Sequence, residues 1–481
     1  MITGTTLLDH GWTAGPALGE ALKAARTMAD TGLDDAGILD ALATVKAAPQ
    51  AVEATSVLAP LAKALMLDAA KQAQKDAEPR PMDVRQTPLD ALVWGRELID
   101  PQAIHQLENA MRLPVAVAGA LMPDAHVGYG IPIGGVVALD NAVAPYMVGV
   151  DIACRMMMSI YPGHATQYLA NANRKDKLVK VLREETRFGI GASFGKHQRR
   201  DHEVLDDPDW EATRLLKSLK DKAVAQLGTS GSGNHFVDVG LLDVDPRGAA
   251  VLGIDAGTHL AIMSHSGSRG VGAQIANRYS KLAQQTTVLP DKLRHLAWLD
   301  LDSEAGQEYW LSMNLAGRFA SACHHTIHRS LAKRLKLKPV ATVENHHNFA
   351  WKEAWQGREV VVHRKGATPA HNGVLGIIPG SQGHNSYLVR GLGSEDALHS
   401  ASHGAGRTMS RTAAKRAIPK RDRDAWLAER GVELLDGGMD EAPQAYKDIG
   451  EVLALQADLV EPIATFKPRL VLMARGGKAE D

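Results

Sequence analysis

The sequence predicts an α+β fold, with β-sheets flanked by helices and a small α-helical module in front. Three observations carry that prediction. Residues 16 to 75 are rich in Ala, Leu and Lys, with apolar residues three and four apart, as in Ala21-Leu22-Ala25 and Leu58-Leu61-Leu65, which is the period of a helix. Further on, short β-type runs such as Gly134-Gly135-Val136-Val137-Ala138-Leu139 and Val360-Val361-Val362 alternate with helical stretches at 203–226 and 302–336. The alternation is too irregular for a doubly wound sheet and has no fixed repeat, so a layered core with many loops is expected. Between the two regions, Lys75-Asp76-Ala77-Glu78-Pro79-Arg80-Pro81 combines charge with two prolines, which cannot continue a helix and so mark a linker. The expected division is a helical module and linker at 1–85, a main domain at 86–476 and a polar tail at 477–481.

Composition narrows the class without naming a reaction. With 481 residues, 45% of them hydrophobic, the chain can bury a large core. Its net charge of -1 gives no global basic field, so any nucleic-acid surface has to be a local patch. Cys154 and Cys323 are the two cysteines, too few and too far apart for a disulfide framework, and the start Met1-Ile2-Thr3-Gly4 has no basic-then-apolar leader. The cytoplasm is therefore the expected compartment. No apolar run approaches the roughly 20 residues of a membrane helix, so no membrane partner is expected.

Four histidines sit in loops marked by glycine or asparagine: Gly233-Asn234-His235, His265-Ser266-Gly267-Ser268-Arg269-Gly270, His346-His347-Asn348 and His403-Gly404-Ala405-Gly406-Arg407. With Asp151 and Cys154 in Val150-Asp151-Ile152-Ala153-Cys154 they form a set of nitrogen, oxygen and sulfur donors suited to one metal-dependent site. Softness of the ligands alone would point to zinc. A further block, Met122-Pro123-Asp124-Ala125-His126-Val127-Gly128-Tyr129-Gly130, precedes them.

Taken together with Ile131-Pro132-Ile133-Gly134-Gly135, Gly231-Ser232-Gly233-Asn234-His235-Phe236, His363-Arg364-Lys365-Gly366-Ala367 and Pro379-Gly380-Ser381-Gln382-Gly383, these blocks make the chain resemble the RtcB family of RNA ligases, in the family's order and over roughly residues 90 to 412. The resemblance implies an RtcB-type layered core and a ligase that joins an RNA 3′-phosphate or 2′,3′-cyclic phosphate to a 5′-hydroxyl, using GTP and two Mn2+ ions, in RNA repair or tRNA splicing. It implies a histidine-guanylate at His403, with Arg269, Arg407 and Arg411 on phosphates, a role suited to a guanidinium fork. Metal ligands by the same analogy are Asp151, Cys154, Asn234, His235, His265 and His347, with Cys154 bridging two ions. His347 is preferred to its neighbour His346 because the family's ligand stands immediately before the asparagine. The nucleotide set is Asn234, His235, Phe236, Val237, Asp238, His347, Asn348, Pro379, Gly380, Ser381, Gln382, Ser386, His403, Gly404, Ala405 and Gly406, in loops able to turn backbone N–H groups on phosphates. The RNA partner is expected to be tRNA, with an archease-like activator as a further partner.

Two departures from the family stand out. Asp238 occupies a position where many relatives carry glutamate, which shortens the reach to a base. The carboxyl end reads Met473-Ala474-Arg475-Gly476-Gly477-Lys478 instead of ending in Lys-Gly, leaving Arg475 and Lys478 both open as nucleotide contacts. Other features have plainer readings. His324 and His325, on a helical stretch beside Cys323, read as structural, and Lys333 to Lys338 as a solvated face. The basic run Arg411 to Arg423 reads equally as solvated face or RNA contact. Thr3-Gly4-Thr5-Thr6-Leu7-Leu8-Asp9-His10-Gly11, with Ala14-Gly15-Pro16-Ala17-Leu18-Gly19 after it, is similar to a helical motif near the carboxyl end of tRNA nucleotidyltransferases, and a generic helical cap accounts for it as well. Two rival functions are a metal-dependent RNA cyclic-phosphate hydrolase and a non-catalytic RNA-end binding protein. The presence of His403 and the nucleotide loops argues against the first, and retention of every mapped catalytic position against the second.

Overall fold

The computed structural model describes residues 2–76 and 81–475, and the chain divides into two compact units, Met1–Pro81 and Met82–Asp481. The division precedes residue 85 because the chain from Met82 on is already tied into the second unit: the Met82 amide donates to the Val288 carbonyl and the Arg85 amide to the Arg112 carbonyl. The linker expected at 75–81 starts late, since a helix continues to Asp76, and residues 77–80 lie outside the described residues. So does the tail expected at 477–481, including Lys478.

The first unit contains helices Gly4–Asp9, Pro16–Asp30, Asp35–Ala47 and Ala59–Asp76. Thr3 caps the first through a capping box with Thr6, and Asp34 caps the third through the Gly37 amide. Leu7, Ala21, Ile38, Leu42 and Leu61 are fully buried together, the three-and-four spacing having gathered them onto inward faces.

In the second unit, an eight-stranded sheet places Val460–Met473 between Ser386–Gly391 and Phe236–Val244, followed by Gly257–Ser266, Arg155–Tyr161 and Ala341–His346. A five-stranded sheet runs Leu92–Val93, Ala116–His126, Ile133–Leu139, Arg358–Lys365 and Asn348–Trp355. The large sheet is covered on both faces, so its strands alternate between two cores. Phe236, Met156, Met158 and Met263 enter one core, while Val237, Val239, Leu260 and Ile262 enter the other. The 32-residue helix Glu304–Leu335 closes that second face with its carboxyl-terminal half and packs its amino-terminal half into the largest core. Sheets flanked by helices give the α+β class expected. The helical reading of 203–226 is corrected: Glu203–Asp206 and Pro208–Glu211 are separate 3-10 turns, and the α-helix spans Arg214–Gln226. Pro208 cannot donate to the preceding turn, and the Asp207 carboxylate caps the second short turn through the Asp209 amide.

Candidate functional site

Strand ends from the large sheet deliver the donors to one place. Asp151 and Cys154 lie just ahead of Arg155–Tyr161, His235 just ahead of Phe236–Val244, and His265 near the end of Gly257–Ser266, with His347 following Ala341–His346. The pairings Phe236 with His265 and Met156 with His265 bring these ends into register. Two groups result, Asp151–Cys154–His235 and Cys154–His265–His347, each with its donor atoms within 4.8 Å of one another, all buried. Cys154 belongs to both, its Sγ lying 3.4 Å from His235 Nε2 and 3.1 Å from His265 Nε2. His265 and His347 approach Nε2 to Nε2 at 3.2 Å, and His235 Nε2 stands 3.0 Å from Asp151 Oδ2.

The protonation pattern tests whether these residues fit a metal. His265 Nδ1–H donates to the Asn234 carbonyl at 3.0 Å, which leaves its Nε2 lone pair aimed at the other donors. Burial pushes the His265 imidazole down to about 3 and His347 well below the ordinary range, so both present lone pairs instead of charges. Burial would raise Asp151, but its hydrogen bond to His235 and the charges around it hold the carboxyl below its usual value. Lone pairs and a carboxylate crowded this closely repel one another unless a cation lies among them, so the donor set fits metal ions. Glycine makes the crowding possible: a Cβ on Gly267 would collide with Asp151 Oδ1.

One pocket opens over these donors, and every site residue expected from the sequence lines it except His235, Val237 and Arg269. His235 lies beneath, within the donor cluster. The Val237 side chain is turned away because strand residues alternate, and it packs in the opposite core; only its backbone stays near the pocket. Arg269 is not among the residues lining the pocket. It begins its helix at φ +58, and its buried guanidinium donates to Thr229 Oγ1 and to the Gly189 carbonyl, from where its charge helps keep Asp151 ionised. Asn348 serves the loops themselves, donating to the Asp151 carbonyl and accepting from the Gly366 amide. Ser386 Oγ accepts the Gly380 amide, closing the 379–386 loop. Asp238 is buried in the pocket wall, its carboxyl raised well above the usual range by burial, and Oδ1 has no hydrogen-bond partner. Such an orphaned acceptor calls for a donor from a ligand.

His403 stands at the meeting of pocket and donors, its ring centroid 4.9 Å from that of His347. Asp124, assigned no role by the sequence, fixes it. The Asp124 Oδ2 accepts from His403 Nδ1 at 2.7 Å and from the amides of His403 and Gly404 at 3.2 and 3.3 Å. With the proton held on Nδ1, Nε2 carries the lone pair. Gly406, at φ +74, lets the loop lie so close to Asp124 that a Cβ there would strike its carbonyl. Lys447 locks the arrangement: its buried ammonium donates to the Pro123 and Ala125 carbonyls at 2.9 and 2.8 Å, on either side of Asp124, and its amide donates to the Gly406 carbonyl.

Two buried acids also escaped the sequence reading. Glu441 pairs with Arg411 and hydrogen-bonds Tyr446, while Arg407 donates to the Asp440 carbonyl at 2.7 Å and to Tyr446 Oη at 3.0 Å. They hold both arginines at the pocket's edge. An Asp-Glu pair in a turn has no spacing signature, whereas Asp124 lay inside a quoted motif and could have been singled out. Arg475 is engaged with Asp436 at 2.6 Å, and Lys478 lies outside the described residues. His346 turns away, tilted against Phe349 and Trp351. His324 and His328 form a separate hydrogen-bonded chain with Ser159, Ser264 and the Ser266 carbonyl, and exposed His325 pairs with Glu344.

A family model described as tRNA-splicing ligase RtcB matches residues 106–213 and 171–474. The chain is 33% identical over 408 residues to the RNA-splicing ligase RtcB of Escherichia coli strain K12, covering 78% of this chain and 95% of that protein. It is 31% identical to the RNA-splicing ligase RtcB of Mycobacterium tuberculosis, over 76% of this chain and 98% of that one. The tRNA-splicing ligase RtcB of Nanoarchaeum equitans is likewise 31% identical, over 78% of this chain and 92% of its own length. Among the described residues no helix is long and apolar enough to cross a membrane.

Proposed function

Because the chain belongs to the RtcB family of RNA-splicing ligases, we propose that it seals RNA 3′-phosphate or 2′,3′-cyclic phosphate ends to 5′-hydroxyl ends, with GTP as the energy source and His403 as the group that carries GMP. The observation that carries this reading is the anchored His403: Asp124 holds its Nδ1 proton, so its Nε2 lone pair is free for attack beside the metal donors. Nε2 attacks the α-phosphorus of GTP, a P–N bond forms, and the bond to pyrophosphate breaks. An oxygen of the RNA 3′-phosphate then attacks the same phosphorus and the P–N bond breaks, returning the pair to the imidazole. The 5′-hydroxyl attacks the activated 3′-phosphate and GMP departs; a cyclic phosphate is opened by water beforehand.

Asp151, Cys154, His235, His265 and His347, with Asn234 beside them, would hold two manganese ions, Cys154 being the residue that belongs to both donor groups. When bound, the ions neutralise charge on the reacting phosphates. Asp238 suits the donor edge of guanine, the Pro379–Ser386 loop offers backbone amides, and Arg407 and Arg411 stand ready for phosphate oxygens. Arg269 acts through its charge beneath the metal donors. The substrate proposed is tRNA in the cytoplasm, with an archease-like activator supporting turnover, and the division into residues 1–85, 86–476 and 477–481 is kept as a working description.

The test is incubation with α-labelled GTP and manganese, comparing the parent with His403→Ala. Acid-labile label is expected on the parent alone. A parent that binds manganese yet takes no label, while still opening cyclic phosphates, would overturn the ligase reading in favour of a hydrolase.

A further inference from the structure

A second cavity lies against the His403 pocket, and the two have a common wall made by His126, Ile133, Asp151, Asn348, Arg407 and Arg411. None of the residues from 379 to 386 reaches this second cavity. Its outer side is aromatic. Tyr129 and Tyr146 line it, and His295 stands between them, with ring centroids 6.4 Å from Tyr129 and 4.8 Å from Tyr146. The row is set by Lys365, whose ammonium donates to the carbonyls of both tyrosines. At 69% exposure, Tyr129 is the most exposed large apolar side chain among the described residues.

An aromatic ring this exposed, at the mouth of a cavity that shares a wall with the His403 pocket, is a surface waiting for another flat ring. Cations line the cavity as well, Lys365, Lys447, Arg407 and Arg411, beside the carboxylates of Asp100 and Asp151, with Glu441 and Asp440 pairing the two arginines from behind. Aromatic faces with a cationic groove are what binds single-stranded nucleic acid, the rings stacking on bases and the cations taking phosphates. Of the two RNA ends the reaction joins, one brings an anionic 3′-phosphate and the other a neutral hydroxyl. The guanidinium groups of Arg407 and Arg411, on the wall common to both cavities, suit the first.

Resting on the ligase reading above, we infer that this second cavity receives the strand that ends in the 3′-phosphate, and that Tyr129 stacks on a base close to that end. The nucleotide loops and the RNA strand then approach His403 from opposite sides of the common wall.

The experiment is steady-state ligation by full-length parent, Tyr129→Ala and Tyr129→Phe, varying the 3′-phosphate RNA at saturating 5′-hydroxyl RNA and then the reverse. Guanylation by labelled GTP is followed on the same samples. Removing the ring should raise KM for the 3′-phosphate strand roughly tenfold or more, the scale of stacking one base, while the phenylalanine variant stays near the parent. A KM for that strand unchanged in Tyr129→Ala, or a rise for the 5′-hydroxyl strand instead of or equal to it, overturns the assignment. Absence of guanylation in the parent would strike the ligase reading itself, whereas normal guanylation with an unmoved KM strikes this inference alone.

Discussion

Two sets of buried histidines lie in the large sheet and the long helix beside it, and they differ in only one respect. His265 and His347 are buried with imidazoles held far below the ordinary range, and the same is true of His324 and His328. In the second set every nitrogen is satisfied in one consistent direction. Ser159 Oγ–H donates to His328 Nδ1, His328 Nε2–H to Ser264 Oγ, Ser264 Oγ–H to His324 Nδ1, and His324 Nε2–H to the Ser266 carbonyl. In the first set the nitrogens point at one another and at a sulfur, and His347 Nδ1 has no hydrogen-bond partner. Burial and basicity therefore do not separate a ligand from a packing residue; the completeness of its hydrogen bonding does. His403 is intermediate, with one nitrogen anchored by Asp124 and the other open for chemistry.

The comparison breaks or sharpens by substitution. Cys154→Ala removes the donor common to both groups, so bound manganese should fall from two equivalents and ligation should drop at least roughly 1000-fold, the several kcal/mol a catalytic metal supplies. Elemental analysis beside a ligation assay checks it; full metal occupancy would show the crowded lone pairs to be coincidence. Asp124→Asn keeps the shape but loses the carboxylate that fixes the His403 tautomer, and guanylation should slow by roughly a hundredfold without loss of metal. His328→Ala, in the satisfied set, should cost about 2 to 4 kcal/mol of folding stability through a cavity and the loss of the ring's hydrogen bonds to Ser159 and Ser264, again with metal content unchanged. Denaturant unfolding measures that loss, and a drop in manganese would mean the two sets are not separate.

A further effect is in pH. Burial lowers His328 to about 3 in the native protein, against about 6.5 when unfolded. As pH falls below 6.5, the unfolded chain gains a proton that the native chain refuses. The stability this histidine permits is thus complete above 6.5 and is lost on the way down to about 3. In chelator, the parent should lose stability more steeply than His328→Leu over that window, by about 1.4 kcal/mol per pH unit. Parallel curves for the two proteins would refute the assignment.

The sequence was most legible where chemistry and periodicity act locally. The helical spacing of Leu58, Leu61 and Leu65 marks a helix that the fold contains, and Gly134–Leu139 lies within a strand as its composition suggests. Asp151, Cys154, His235, His265 and His347 could be gathered because each carries its own donor within a motif. Less legible was anything depending on which way a side chain turns: Val237 sits inside a good motif but faces away by strand alternation, and Arg269 donates to Thr229 and the Gly189 carbonyl beneath the donor cluster. Lys447 and Glu441 could not be read at all, because their partners at Ala125 and Arg411 become neighbours only through tertiary structure.

Strand Val460–Met473 stands in the large sheet between Ser386–Gly391, beyond the 379–386 loop, and Phe236–Val244, beside the metal donors. During synthesis, every residue of the donor cluster, His403 and Lys447 leave the ribosome before the segment that knits those two halves together. The pocket therefore assembles only once residues 460–473 have emerged, through pairings that are distant in sequence and slow to form. A chain released early, or clipped ahead of residue 460, would carry every reactive side chain named here and still have no competent site.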